Sequence, residues 1–324
     1  MAREIDDQLT KYLTDAHSIE VQALAQLKTA PELAGAPTLE EAFRLHLEET
    51  EGHERLTREL LGRRDAEPSK LKDMVMGIGG KGFLLFARLQ PDTPGKLFAH
   101  ALSYEGLERA SYELMLRVAE RAGDEDVAAA ARRISAEEQA MMERLEANVD
   151  AAVGASLEAH PRGELPTLVK KYLADAHAIE EQAIGLLERA PKLVDEPALT
   201  AIFEDHLSET REHAELIRSR LTALGGDASS FKDGAMRLGA LNWATFFQGH
   251  PDTPGKLVAF AYAFEHLEIG GYEQLKRVAA TAGDTETAGI AETILVEERN
   301  AAHLLAGAFD AAAEASLPAV GVTT

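Results

Sequence analysis

The feature that most constrains the fold is an internal repeat with an offset of 160 residues. The stretch HLEETEGHERL, which begins at His46, returns as HLSETREHAEL at His206. Similarly, PDTPGKL begins at Pro91 and again at Pro251. No insertion or deletion separates these landmarks. The chain of 324 residues is therefore a tandem duplication of one unit of about 150 residues, a common size for a single domain.

A short segment rich in glycine and proline separates the two copies. It reads GASLEAHPRGELP and contains Pro161 and Pro166, a composition typical of a linker. We therefore predict a first domain at residues 1–154, a linker at residues 155–166 and a second domain at residues 167–324.

The apolar residues of each copy recur with a helical period. In the first copy they predict long helices from about Ile5 to Lys28 and from about Leu39 to Leu61. A connection of about 30 residues follows, with a shorter amphipathic helix in it, and two more long helices run from PDTPGK to about Ala152. Two helical hairpins joined by a crossover make a ferritin-like four-helix bundle. The predicted fold is all-α: two tandem bundles of this kind, each with a helical crossover. A plain bundle with short loops is the alternative.

Composition excludes several classes of protein. The formal charge of −22 argues against a nucleic-acid partner, because binding to phosphates depends on clustered lysine and arginine. The absence of cysteine excludes disulfides, thiolate metal sites and a cysteine nucleophile. No stretch resembles a signal peptide or a membrane span, so we expect a cytoplasmic protein that does not enter a membrane.

Carboxylates stand where apolar residues are expected on the inner face of every long helix. A single inward glutamate is more often an edge residue or the partner of an arginine. Several of them converging in one bundle would repel one another strongly unless they were protonated or neutralised. Few lysine or arginine residues lie on these faces, whereas a pair of bridged metal ions would neutralise them directly.

Glutamates on all four helices, with a histidine one turn from one of them, are typical of di-iron and di-manganese bundle proteins. We predict one di-iron pair in each bundle, with di-manganese as the alternative. The predicted ligands are Glu20, Glu49, His53, Glu105, Glu108 and Glu138 in the first copy and Glu180, Glu209, His213, Glu265, Glu268 and Glu298 in the second. Glu49 and His53 are four residues apart, whereas the usual motif has a spacing of three, so His53 could instead support a ligand.

Other polar residues near these positions are candidates for orienting the ligands. His46 and His206 face inward one turn before Glu49 and Glu209, and we expect them to hold the carboxylates in place instead of binding metal directly. Tyr112 and Tyr272 lie one turn beyond the glutamates of the third helix. We predict that they are either packed aromatic residues or hydrogen-bonding neighbours of the metal ions.

The sequence resembles the YciE/YciF-like bacterial stress proteins of the ferritin-like superfamily along almost all of both copies. The similarity is carried by DAHSIEVQ from Asp15, HLEET from His46, FEHLEIGGY from Phe264 and the pair Glu297–Glu298. It implies a bundle that pairs as a dimer, a di-metal site and no settled activity. If the family pairs its bundles, we expect the two copies to pack on each other as a pseudo-dimer.

Two functions follow as hypotheses. The first is a di-metal protein that handles O2, peroxide or ferrous iron in stress defence, either as a peroxidase or catalase-like enzyme or as a ferroxidase-like one. The inner faces show no wide pocket, which favours small oxidants as partners. The second is a non-enzymatic structural or interaction protein associated with stress, with vacant or structural metal sites.

Overall fold

The computed structural model describes residues 2–68, 93–226 and 253–322. These residues form helices joined by short turns, and none of them lies in a strand. The prediction of an all-α chain of two tandem helical bundles is confirmed. The chain divides into two compact units, one of residues 1–159 with 320–324 and one of residues 160–319. We refer to residues 1–159 as repeat 1 and to residues 160–319 as repeat 2.

The described residues of repeat 1 form four long helices and two short ones. They are α1 (Ala2–Leu27), α2 (Ala30–Leu33), α3 (Pro37–Arg63), α4 (Thr93–Ala122), α5 (Glu125–Ala147) and α6 (Val149–Glu158). The end of α6 falls within the predicted linker. The predicted crossover helix lies outside the described residues in this repeat and in the next.

The described residues of repeat 2 form four long helices in the same order, followed by a short one. They are α7 (Leu165–Leu187), α8 (Pro197–Ala223), α9 (Thr253–Ala282), α10 (Thr285–Gly307) and the short α11 (Phe309–Ala319). Short 3-10 turns at Arg162–Glu164 and Ala190–Lys192 flank α7. Among the described residues, no helix is long and apolar enough to cross a lipid bilayer.

The long helices of repeat 1 form a closed ring in which each packs against two neighbours. Helix α1 contacts α3 and α4, and α5 contacts the same two helices. Helix α3 ends beside the start of α1, where the guanidinium of Arg64 bonds to the backbone carbonyl of Asp6 at 3.3 Å. Helix α4 begins at the opposite end, where a Cβ at Gly35 would come within 2.8 Å of Pro94. The order is therefore up, down, down, up, as in ferritin-like bundles.

The turn between α4 and α5 illustrates how local sequence fixes this arrangement. Gly123 adopts a φ of 72°, a left-handed conformation that ends α4. Asp124 then caps α5 by accepting a hydrogen bond from the Val127 amide at 3.0 Å, and it also pairs with Arg64 at the end of α3. Gly283 and Asp284 repeat this turn in repeat 2. The cap thus ties three helices together at one end of each bundle.

Candidate metal centre

The core of each bundle contains two overlapping groups of buried histidine and glutamate side chains. In each group the potential ligand atoms lie within 4.8 Å of one another. We call the larger one the four-residue group and the smaller one the three-residue group. In repeat 1 they are His46, Glu105, Glu108 and Glu138, and Glu20, His53 and Glu138. In repeat 2 they are His206, Glu265, Glu268 and Glu298, and Glu180, His213 and Glu298.

Glu138 belongs to both groups, and its two oxygens face different ones. Its Oε2 lies 3.3 Å from Nε2 of His46 in the four-residue group. Its Oε1 lies 3.0 Å from Nδ1 of His53 in the three-residue group. Glu298 is placed in the same way, with 3.8 Å to His206 and 2.9 Å to His213. A carboxylate with this placement can bridge two metal ions.

Both histidines come from α3 and share one face because they are seven residues apart, which is two helical turns. Thr50 and Thr57 follow each histidine by four residues. Their hydroxyls donate to the backbone carbonyls of His46 and His53, at 2.8 and 3.0 Å, which satisfies these polar side chains inside the buried face.

The ring nitrogen of each histidine that points away from the cluster meets a further carboxylate. Nδ1 of His46 lies 3.0 Å from Glu49, and Nε2 of His53 lies 2.7 Å from Glu137. Glu49 in turn accepts hydrogen bonds from Arg144 at 2.9 Å on both of its oxygens. An outer carboxylate of this kind fixes the tautomer and orientation of a ligating imidazole and raises its basicity.

Tyr112 holds the glutamate of α1. Its hydroxyl donates to Oε1 of Glu20 at 2.5 Å, and both side chains are buried. Burial and the neighbouring charge of Glu20 raise the pKa of Tyr112 well above its usual value, so the hydroxyl keeps its proton and remains a donor. Tyr272 makes the same bond to Glu180 in repeat 2. The other oxygen of each glutamate is left to face the cluster.

We expect Tyr112→Phe to lower the free energy of unfolding by about 1.5–3 kcal/mol, because it removes a buried hydrogen bond to a charged group. The matched control is Tyr104→Phe, whose hydroxyl donates to the neutral carbonyl of Ile19 at 3.0 Å. The Tyr104→Phe control should lower the free energy of unfolding by about 0.5–1.5 kcal/mol. Urea unfolding of the metal-loaded protein measures both. Equal losses would contradict a charged Glu20.

The inward-facing atoms of the cluster lack hydrogen-bond donors of good geometry within the described residues. Both oxygens of Glu108 are in this state, as are both oxygens of Glu138, and Glu268 and Glu298 repeat the observation. Buried carboxylate oxygens without partners are costly. Nitrogen and oxygen donors of this type suit iron or manganese. The residues present therefore fit a metal site.

The charges of the cluster match two divalent cations. Each bundle brings together four glutamates and two histidines. With the imidazoles neutral, the four carboxylates carry four negative charges, which two divalent ions neutralise in full.

Without metal, several of these groups retain protons. Burial raises the pKa of Glu105 to about 7 and that of Glu180 to about 8. Burial alone would lower the pKa of His53, but Glu138 and Glu20 outweigh it and raise that pKa to about 10. Burial likewise opposes the charged form of His206, whose pKa is nevertheless raised to about 10 by Glu265. Metal binding must therefore displace several protons from each cluster.

The structure brings together most of the predicted site residues, but two pairs lie elsewhere than predicted. Glu49 and Glu209, expected as ligands, lie outside both groups and contact the outer nitrogens of His46 and His206. Those two histidines, expected to support the ligands, lie inside the four-residue groups. The reason is geometric. Three residues of helix fall about 60° short of a full turn, so Glu49 lies to one side of the line that His46 occupies on the inner face.

Glu137 and Arg144 are supporting residues that the sequence analysis missed. Glu137 adjoins Glu138, and the pair recurs as Glu297 and Glu298, so its recurrence was a usable signal. Arg144 has no such signal, because position 304 is leucine in the second copy. Only the fold shows that its guanidinium reaches Glu49.

Comparison with known families gives a match in each repeat. Residues 4–158 and 167–317 both match the family described as Domain of unknown function (DUF892). The chain belongs to the DUF892 family. No solved structure matches the chain. Among the described residues, each DUF892 repeat contains one pair of groups that could hold metal ions.

Proposed function

We propose that each repeat is a two-metal carboxylate site, loaded with iron or manganese, that reacts with peroxide or O2. The placement of Glu138 supports this most strongly, since its two oxygens face two separate groups of potential ligands. In this proposal His46, Glu105 and Glu108 hold one ion and Glu20 and His53 hold the other. Glu49 is assigned to orienting His46, and not to metal binding.

The two proposed metal positions differ in the number of potential ligand side chains around them. The four-residue group supplies more donors than the three-residue group, which leaves the second position more room for a small exogenous ligand. When bound, a pair of iron or manganese ions supplies the electron transfer that peroxide or O2 chemistry requires. The resemblance to YciE/YciF-like stress proteins agrees with this reaction class and with a role in stress defence.

The protein itself contributes orientation, proton binding and exclusion of water. Glu49 and Glu137 hold the outer nitrogens of the two imidazoles, so each ring presents a lone pair to the cluster. Tyr112 retains its proton on the oxygen that donates to Glu20. Apolar side chains around the site, such as Ile134 and Met141, are fully buried and separate it from bulk water.

The test compares peroxide decomposition and O2 uptake by iron-loaded and manganese-loaded protein with those of a double variant, Glu138→Gln and Glu298→Gln. We expect the wild type to consume at least one oxidant and the double variant to lose this activity by about a hundredfold or more, since one residue serves both positions. Equal rates in the two proteins would overturn the proposal. Metal that binds and stabilises the fold without any turnover would favour the alternative of a structural metal site.

A further inference from the structure

The two repeats differ beside their metal-binding groups. In repeat 1, Met141 is fully buried, and the guanidinium of Arg144 lies 4.0 Å from its sulfur and bonds to Glu49. The corresponding positions in repeat 2 are Ala301 and Leu304. Both changes replace a longer side chain with a shorter one.

A pocket of about 300 Å³ occupies this place in repeat 2. Leu187, Phe203, Ala301 and Leu305 belong to its apolar lining, and its inner end is formed by His206 and Glu265 of the four-residue group. The pocket therefore connects with the metal-binding cluster and is not a separate surface depression.

The side chains at this place are also more exposed to solvent in repeat 2 than in repeat 1. The side chain of Glu49, covered by Arg144, is 21% exposed, whereas that of Glu209 is 42% exposed. His46 is completely buried, and His206 is 5% exposed. Leu304 is 46% exposed, which places an apolar side chain at the mouth of the pocket.

The size of the pocket and the charge of its lining residues indicate which ligands can bind. A cavity of about 150 Å³ lined by apolar side chains is large enough for benzene, so this pocket has room for a substituted ring. Asp205 and Glu209 also line it, and both are carboxylates. In repeat 1 the arginine offsets Glu49, but the leucine at position 304 leaves Glu209 without that counterion. Anionic ligands are therefore disfavoured. The mostly apolar lining favours a neutral ligand, because a charged one would lose its hydration there.

We infer that repeat 2 alone admits a small, neutral, mostly apolar organic ligand beside its metal site, while Met141 and Arg144 close the equivalent space in repeat 1. The inference extends the proposed function, on which it rests for the presence of metal, by giving the second site a class of organic ligand.

The test uses the full chain and follows the binding of 4-fluorobenzyl alcohol by fluorine NMR. We expect one binding site per chain. The double variant Ala301→Met and Leu304→Arg transfers the closure of repeat 1 to repeat 2 and should weaken binding at least tenfold, which corresponds to about 1.4 kcal/mol. The reciprocal variant, Met141→Ala and Arg144→Leu, should create a second site. The anion 4-fluorobenzoate, of matched size, should bind at least tenfold more weakly than the alcohol.

Binding of the alcohol by the closed variant with wild-type affinity would overturn the inference, as would absence of binding by the wild type. Metal content is measured on the same samples. Normal metal loading without probe binding refutes only this inference. Probe binding that responds to the variants in a protein that takes up no metal refutes only the proposed function.

Discussion

Replacement of Glu138 by glutamine is expected to remove both metal ions from repeat 1 and to leave repeat 2 loaded. Glu138 is the residue shared by the two groups, and its oxygens face His46 and His53 separately. The amide keeps the shape of the side chain but cannot supply two anionic oxygens. Metal content measured by plasma mass spectrometry should fall from about four ions per chain to about two, one pair being lost.

Three further variants make this result specific. Glu298→Gln should give the same loss in repeat 2. Glu108→Gln, which affects the four-residue group alone, should remove about one ion per chain, since the other group keeps all its members. Glu49→Gln should leave the content unchanged while weakening metal affinity by about 10–100-fold, as expected for a group that orients a ligand. A Glu138→Gln protein that retains all its metal would contradict the bridging role.

The metal-free protein is expected to lose stability as the pH rises from 5.5 to 8. Glu105 and Glu180 have folded-state pKa values of about 7 and 8, above the ordinary carboxyl value of 4.5. Their contribution is fully present below that ordinary value and disappears as the pH rises through the folded-state pKa. His53 has the same sign, because its pKa is raised from 6.5 to about 10. The melting temperature without metal should therefore be higher at pH 5.5 than at pH 8.

Metal should reverse this dependence, because it competes with protons for the same atoms. At a free concentration of 1,000 times its dissociation constant, a ligand adds about 4 kcal/mol of stability. In a domain of this size that raises the melting temperature by roughly 10 °C. We expect this increment to be larger at pH 8 than at pH 5.5, measured by calorimetry with and without a chelator. A metal-free protein that becomes more stable between these two pH values would contradict the assignment of protons to the cluster.

The carboxyl groups at the helix turns serve as an internal control for the pH experiment. Hydrogen bonds and ion pairs outweigh partial burial and lower the pKa of Asp124 and Asp284 below the ordinary aspartate value of 3.8. Their contributions to stability are lost only as the pH falls below that ordinary value, so these contributions remain constant between pH 5.5 and 8. A glutamine at both Glu108 and Glu268, two further buried carboxyls with raised pKa values, should therefore flatten the pH dependence.

The bundle and most of the cluster were predictable because they depend on periodicity. Glu20, Glu105 and Glu138 interrupt apolar stripes whose helical period is clear, and the second copy repeats each interruption. The duplication acted as an internal comparison, since residues kept in both copies are separated from those that changed. The directions of the helices followed from the connection between the two hairpins, because a connection of about 30 residues is long enough to cross the bundle.

The positions of His46 and Glu49 relative to the cluster were not predictable, because both residues lie on the same broad inner face. Which of them meets the cluster depends on the rotation of α3 about its axis by a fraction of a turn. Packing against α1 and α5 determines that rotation, and it places Nε2 of His46 2.9 Å from Glu105 of α4. Long-range contacts of this kind, like that of Arg144 with Glu49, leave no mark in the spacing of a single helix.

The most direct test is anomalous X-ray diffraction from crystals of the iron-loaded or manganese-loaded chain, collected at the absorption edge of the metal. Two peaks are expected in each bundle, about 3.5–4 Å apart, one on each side of Glu138 in repeat 1 and of Glu298 in repeat 2. One peak should lie among His46, Glu105 and Glu108 and the other between Glu20 and His53. A single peak per bundle, or peaks that lie at Glu49 and Glu209 instead, would contradict a two-metal site bridged by the shared glutamate.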